Sequence, residues 1–328
     1  MAADDRVPDQ VPEVIGVDAI RAAAGRIGGI ARRTPVVDVS DLAGRPLVLK
    51  CEMQQPGGAF KIRGATNMLR RLAPEALARG VITYSSGNHG QAVALAASKL
   101  GARAVVVMPT TAPAVKVAGV KRWGAEVILQ GTTSIDRRKR AEAEAAARGL
   151  TMVPPFDHEW IIEGQGTCGL EILEQVPDVE VVVVPVGGGG LISGVAAAVK
   201  ALKPAVKVVG VEPAGAAKMT ASLTAGKPVT LDTSRSVADG LIPVRPGDLT
   251  FEHVRALVDR VVTVEDNTIA RAALWLFHEA KLVVEPSGAA TVAAVLWPGE
   301  GSPPTDRTKR VVAVLSGGNV APETLAAL

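Results

Sequence analysis

Aromatic side chains are nearly missing from this chain: four Trp, four Phe and one Tyr make up 3% of its 328 residues. Its core must therefore be filled by Ala, Val, Leu and Ile. The same scarcity argues against a nucleic-acid surface, which interleaves rings with basic side chains. The one dense basic run, residues 137–140, opens an Ala- and Glu-rich segment and reads as a solvated helix face. Charge of one sign is not in excess either, since 36 Lys and Arg against 33 Asp and Glu leave +3. Two cysteines, Cys51 and Cys168, are too few for a disulfide framework and favour a reducing compartment, the cytoplasm. No uninterrupted apolar run reaches the roughly 18 residues of a membrane span. The first residues, MAADDRVPDQ, are acidic and polar, unlike a signal peptide. Neither a membrane nor a nucleic acid is an expected partner.

What is abundant is aliphatic: 48% of the residues are hydrophobic, in a length that suits one large or two moderate domains. Short β-branched runs at 47–51, 81–84, 104–108, 126–129, 181–185, 207–211, 260–264 and 311–315 read as strands. Between them, 91–100, 114–123, 134–148, 191–202 and 268–278 read as helices. Continuous apolar strands alternating with helices predict an α/β protein with buried parallel sheets. No repeat or low-complexity segment interrupts the pattern. The Pro-rich stretch 153–156 is a candidate crossing between domains, and 299–308 is a polar surface loop.

Four glycine-bearing motifs lie where strands give way to helices, the place where ligands bind in such folds. GAFKIRGA at 58–65 sets Phe60 and Lys61 beside glycines; alone, that lysine would usually be a solvated charge next to a core ring. SSGNHG at 85–90 offers the hydroxyls of Ser85 and Ser86, the Asn88 amide, His89 and the free N–H groups of a helix start, a set suited to a carboxylate. An ordinary cap by Ser86 or Asn88 explains the same letters. Gly187, Gly188, Gly189 and Gly190 follow a strand and precede a helix at Leu191, so several N–H groups can converge on one phosphate. A dinucleotide-binding turn is the competing reading, with Glu212 at about the right separation, although GGGGLISG does not follow G-x-G-x-x-G. SGGN at 316–319 places the Ser316 hydroxyl after a strand, as a ligand for an unprotonated ring nitrogen or as a plain turn residue.

An amine for a Schiff base, a phosphate nest, a partner for the ring nitrogen and a site for a substrate carboxylate are what a pyridoxal-phosphate enzyme requires. The chain resembles the fold-type II pyridoxal-phosphate enzymes (tryptophan synthase β-like), specifically the serine/threonine dehydratase and serine racemase family. The resemblance runs from RTP at 33–35 through GQGT at 164–167 and EPSGA at 285–289 to SGGNV at 316–320. It implies pyridoxal 5'-phosphate as cofactor, with Lys61 as the Schiff-base lysine, Phe60 packing beside the ring and Asn88 on the ring hydroxyl. Gly187 to Gly190, with the Leu191 amide, match the phosphate cradle, and Ser316 matches the partner of the pyridine nitrogen. Ser85, Ser86, Asn88 and His89 match the substrate carboxylate loop. Lys61 and Ser86 match the two catalytic acid–base groups, the second being the racemase residue.

The resemblance further implies two open twisted parallel-sheet domains with the cofactor in the cleft between them. Residues 1–74 and 153–328 form the large one and 75–152 a small mobile one. A small amino acid is the expected substrate and a homodimer the expected assembly. The activity implied is removal of ammonia from an L-β-hydroxy-α-amino acid of the threonine or serine type. The alternatives are serine racemase, 3-hydroxyaspartate dehydratase, or a non-catalytic binding protein of the same fold. ADGLIPVRPGDLT at 238–250 resembles dehydratases more than animal racemases. Three positions depart from relatives: Ala59 replaces a Ser, Pro243 interrupts a substrate-side segment, and Lys218 stands where metal-activated relatives have an acidic ligand beside Glu212 and Ala216. An ammonium cannot ligate a metal, so no divalent cation is expected there, and Lys218 is expected to pair with Glu212.

Overall fold

The computed structural model describes residues 14–299 and 306–328. The loop expected at 299–308 and the polar first residues therefore fall largely or wholly outside the described residues. Among the described residues ten strands form two sheets: β1 (Val36–Asp38), β2 (Leu47–Lys50), β3 (Val81–Tyr84), β4 (Ala104–Met108), β5 (Glu126–Leu129), β6 (Thr151–Met152), β7 (Val181–Pro185), β8 (Lys207–Pro213), β9 (Arg260–Val264) and β10 (Val311–Val314). The larger sheet has the order β1-β2-β10-β7-β8-β9 and the smaller β5-β4-β3-β6. Every pairing is parallel except β1 with β2, an antiparallel edge that the sequence pattern did not predict. All four strands of the smaller sheet come from one stretch of chain, 81–152.

The aliphatic runs explain the layering. In β7 and β10, Val183 and Ala313 face one way and Val182, Val184, Val312 and Val314 the other, and both sets are buried. The first face is covered by helices Asp266–His278 and Pro286–Leu296, the second by Gly190–Leu202 and part of Glu159–Gln175. A sheet covered on both sides has no use for alternating polar residues, and hence its strands read as continuous valine. The smaller sheet is likewise sandwiched, by helix Asn88–Lys99 on one face and Ser134–Arg148 on the other.

A ring-poor core lets helices approach closely. Helix Glu159–Gln175 runs between Ile62–Arg71 and Gly190–Leu202, and on each side one close approach is glycine on glycine. A Cβ at Gly164 would lie 2.6 Å from the Gly64 Cα, and one at Gly194 would lie 2.4 Å from the Gly166 N. The GQGT motif is thus a packing motif: a Cβ on Gly164 would meet backbone, and one on Gly166 would meet the buried Ile20 side chain at 2.8 Å.

One polar cluster is set into this apolar frame. Arg63, fully buried, forks onto both oxygens of buried Glu52 at 2.7 Å and onto Glu171 at 2.7 and 2.8 Å. Lys50, also fully buried, donates to Glu171 at 2.5 Å and to the Thr34 carbonyl at 2.8 Å. Every charge has a partner of opposite sign, the condition under which buried charges persist. The cluster ties β2 and the RTP segment to the two helices that flank it.

Candidate functional site

The four motifs converge at the carboxyl ends of the strands, between the two sheets. Lys61 immediately precedes helix Ile62–Arg71 and is half-buried; its Nζ donates to the Pro155 carbonyl at 2.6 Å and sits 5.2 Å from the centroid of the Phe60 ring. Burial disfavours the ammonium and pulls its pKa down to about 8. That leaves a usable fraction of free amine near neutral pH. The acceptor belongs to the 153–156 stretch, the segment that carries the chain from β6 back towards the larger sheet. The lysine segment is stitched to the SGGN turn: the Phe60 N–H donates to the Ser316 carbonyl at 3.0 Å, and Ala59 pairs with Gly317 in an isolated bridge.

The four glycines form the turn from β7 into helix Gly190–Leu202. Their floor is Phe156, so near that a Cβ on Gly188 would lie 2.3 Å from its ring. None of the N–H groups of Gly187, Gly188, Gly189, Gly190 and Leu191 meets a protein acceptor among the described residues, and the helix dipole ends here. This is a cradle that a side chain would fill and whose donors are free, the arrangement that a phosphate group needs.

Helix Asn88–Lys99 begins three residues earlier than the apolar pattern suggested, so the SSGNHG turn is itself the helix start. Neither Ser86 nor Asn88 caps it: the Ser85 hydroxyl accepts from the Gly87 N–H at 3.1 Å, while Ser86 is exposed and its hydroxyl makes no hydrogen bond among the described residues. The His89 ring is buried with Nε2 3.1 Å from the Val153 carbonyl, and burial together with the nearby Lys61 pushes its pKa down to about 3. A neutral ring engaged in this way leaves the main-chain N–H as what His89 can offer an anion.

Ser316 is buried, and its hydroxyl makes no hydrogen bond among the described residues. Beside it lies a network that the sequence did not reveal. Asn88 Nδ2 donates to Glu285 Oε1 at 2.7 Å, and the Asn88 oxygen accepts from Asn319 Nδ2 at 2.9 Å. Burial and the Asp239 carboxylate push the Glu285 pKa up to about 7, against the hydrogen bond from Asn88. Glu285 and Asn319 stand inside the EPSGA and SGGN motifs, which were the available signal; their partners, about 200 residues away in sequence, were not visible. Pro155 and Phe156 carried no signal beyond being a crossing.

The Lys218 ammonium, expected from the sequence to pair with Glu212, lies 3.2 Å from Glu212 Oε1, both fully buried. A cation already in place and a donor that cannot ligate do not fit a divalent metal.

A family model described as "Pyridoxal-phosphate dependent enzyme" matches residues 27–317. The chain is 42% identical over 308 residues to a serine racemase of Oryza sativa subsp. indica, covering 93% of this chain and 91% of the relative. It is 43% identical over 310 residues to an L-threonine ammonia-lyase of Thermotoga maritima, covering 94% and 76%. Among solved structures, maize serine racemase superposes with a TM-score of 0.91 at 40% identity, covering 96% and 97% of the two chains.

Proposed function

Since the chain belongs to the pyridoxal-phosphate-dependent enzymes, we propose that it is a dehydratase (ammonia-lyase) acting on an L-β-hydroxy-α-amino acid of the threonine or serine type. The observation that carries this reading is the Lys61 amine, held by the Pro155 carbonyl and depressed to about 8, beside a phosphate cradle and a carboxylate-binding helix start. When bound, pyridoxal phosphate supplies an aldehyde that condenses with amines and a ring that accepts the electron pair left at Cα. The residues do the rest. Residues 187–191 would hold the phosphate through main-chain N–H groups, Phe60 would pack beside the ring, and Asn88 would serve the ring hydroxyl. Ser316 would donate its hydroxyl to an unprotonated ring nitrogen; a hydroxyl, unlike a carboxylate, would keep the ring a modest electron sink, which suits rapid loss of a β-substituent. Ser85, Ser86 and the N–H groups of Asn88 and His89 hold the substrate carboxylate. The Lys61 amine takes the Cα proton. With the Cα proton taken up by Lys61 and one proton delivered to the β-hydroxyl, the Cβ–O bond would break and water depart, and the released enamine would tautomerise to an imine that water hydrolyses to a 2-oxo acid and ammonia.

Residues 75–152 form, in this reading, a mobile unit that closes over residues 1–74 and 153–328 and excludes water. Its support is the smaller sheet, drawn wholly from that stretch, and the Lys116–Asp239 ion pair that joins it to residues 153–328. Racemisation is the second reading, favoured by the exposed, unengaged hydroxyl of Ser86 at the helix start, since it needs a proton donor on the face opposite Lys61.

A 2-oxo-acid assay over L- and D-serine, threonine and 3-hydroxyaspartate, with chiral chromatography of the remaining amino acid, tests both. The dehydratase reading expects 2-oxo acid to outpace enantiomer formation from an L-substrate, and D-serine formed faster than pyruvate overturns it. Ser86→Ala is expected to stop interconversion while elimination survives at a reduced rate.

A further inference from the structure

Lys218 opens helix Lys218–Ala225, and its fully buried ammonium is surrounded by oxygen. Nζ donates to the carbonyls of Val186 at 2.8 Å, Leu241 at 2.9 Å and Ala216 at 3.1 Å, and lies 3.2 Å from Glu212 Oε1. Three carbonyls take three N–H bonds. A neutral amine has only two N–H bonds and would turn its lone pair on an oxygen, so the geometry requires the charged form. Glu212 is fixed in turn: Oε1 accepts from the Met219 N–H, and Oε2 from the N–H and hydroxyl of Thr220, each at 2.8 Å.

The three carbonyls belong to three separate segments. Val186 is the residue before the glycine cradle, Ala216 ends the turn after β8, and Leu241 lies in the 239–241 turn, whose Gly240 carbonyl packs against Gly187 at a distance that excludes a Cβ there. The ammonium is therefore the common point that fixes the entry to the cradle. Oxygens at 2.8–3.2 Å stand well beyond the distances of about 2.0–2.1 Å for Mg²⁺ and about 2.3–2.6 Å for Ca²⁺. They suit a larger monovalent ion.

We propose that the Lys218 ammonium is the resident cation of an all-oxygen site, and that truncating this side chain turns the protein into one that binds potassium or ammonium there. Lys218→Ala leaves three carbonyls and a carboxylate around the space of the lost head group, continuous with that of its methylenes, whereas Lys218→Met refills the methylene channel with an uncharged thioether. This inference does not depend on which reaction is catalysed, because its readout is stability.

The experiment compares the melting temperature of wild-type, Lys218→Ala and Lys218→Met holoenzymes in tetramethylammonium, potassium, ammonium and magnesium chlorides at matched ionic strength, with and without EDTA. Wild type is expected to be indifferent to the cation and the chelator. Lys218→Ala is expected to melt lower in tetramethylammonium and to gain at least about 3 °C, saturably, from potassium or ammonium. Lys218→Met is expected to stay low in every salt. Equal melting of Lys218→Ala in tetramethylammonium and potassium overturns the proposal. So does an equal gain in wild type, or failure of Lys218→Ala to fold in any salt while Lys218→Met folds. Should neither variant fold, the ¹⁵N-lysine spectrum of wild type decides: a two-proton Lys218 amine at pH 7 refutes the charge on which the site rests, and a three-proton ammonium upholds it.

Discussion

Glu285 makes the stability of this protein fall as the solution becomes more basic. It is buried, at 5% exposure, with Asn88 Nδ2 on one oxygen and the Asp239 charge nearby, and its pKa stands at about 7 where a free glutamate has 4.5. The folded state thus holds the proton more tightly than the unfolded chain does. Its contribution is fully present below pH 4.5 and disappears as the pH rises through 7. At 1.36 kcal/mol for each tenfold change in proton affinity, the loss amounts to about 3 kcal/mol. Glu285→Gln keeps the shape and the oxygen that accepts from Asn88 but cannot ionise. Urea unfolding of cofactor-free wild type and variant, from pH 4.5 to pH 8, should show the variant gaining about 3 kcal/mol on wild type over that interval. A difference that stays flat with pH would mean that Glu285 titrates as an ordinary glutamate, and the reasoning fails.

Three further outcomes are expected. Lys61→Ala should lose the visible absorbance of covalently held cofactor and at least about three orders of magnitude in turnover, because amine and base are removed together; wild-type colour and rate would exclude Lys61 from both roles. Gly188→Ala, whose Cβ would meet the Phe156 ring at 2.3 Å, should weaken binding of pyridoxal phosphate about tenfold or more, since overpacking costs about 1–3 kcal/mol; a dissociation constant unchanged in fluorescence titration speaks against the cradle. Arg63→Met should cost about 3–5 kcal/mol in urea unfolding by leaving Glu52 and Glu171 short of a partner, and a loss below about 1 kcal/mol would show that Lys50 suffices for both.

The sequence disclosed what is local. Strands β3, β4, β5, β7 and β9 were read to the residue because each is a short aliphatic run with turns at both ends. The glycine turn after β7 and the SSGNHG turn were legible as strand-to-helix turns because each is written in consecutive residues. Helix Pro286–Leu296 went unread because its face is apolar all round, and Glu159–Gln175 because its glycines look like a loop until the neighbouring helices are known. β1 is three residues long and pairs against the direction of the rest. Lys61 with Pro155 and Asn88 with Glu285 join residues 94 and 197 positions apart. No local pattern encodes such a pair.

The glycine contacts along helix Glu159–Gln175 act as a mechanical gauge. The helix that follows Lys61 and the helix that follows the phosphate cradle are each seated against the same central rod, one at Gly64 on Gly164 and the other at Gly194 on Gly166. The span between the amine and the cradle is therefore set by two backbone-to-backbone stops in the interior, with no compressible side chain between them. A methyl group added at Gly164 or Gly194 would touch neither Lys61 nor the glycine turn, yet it would widen the gap between them.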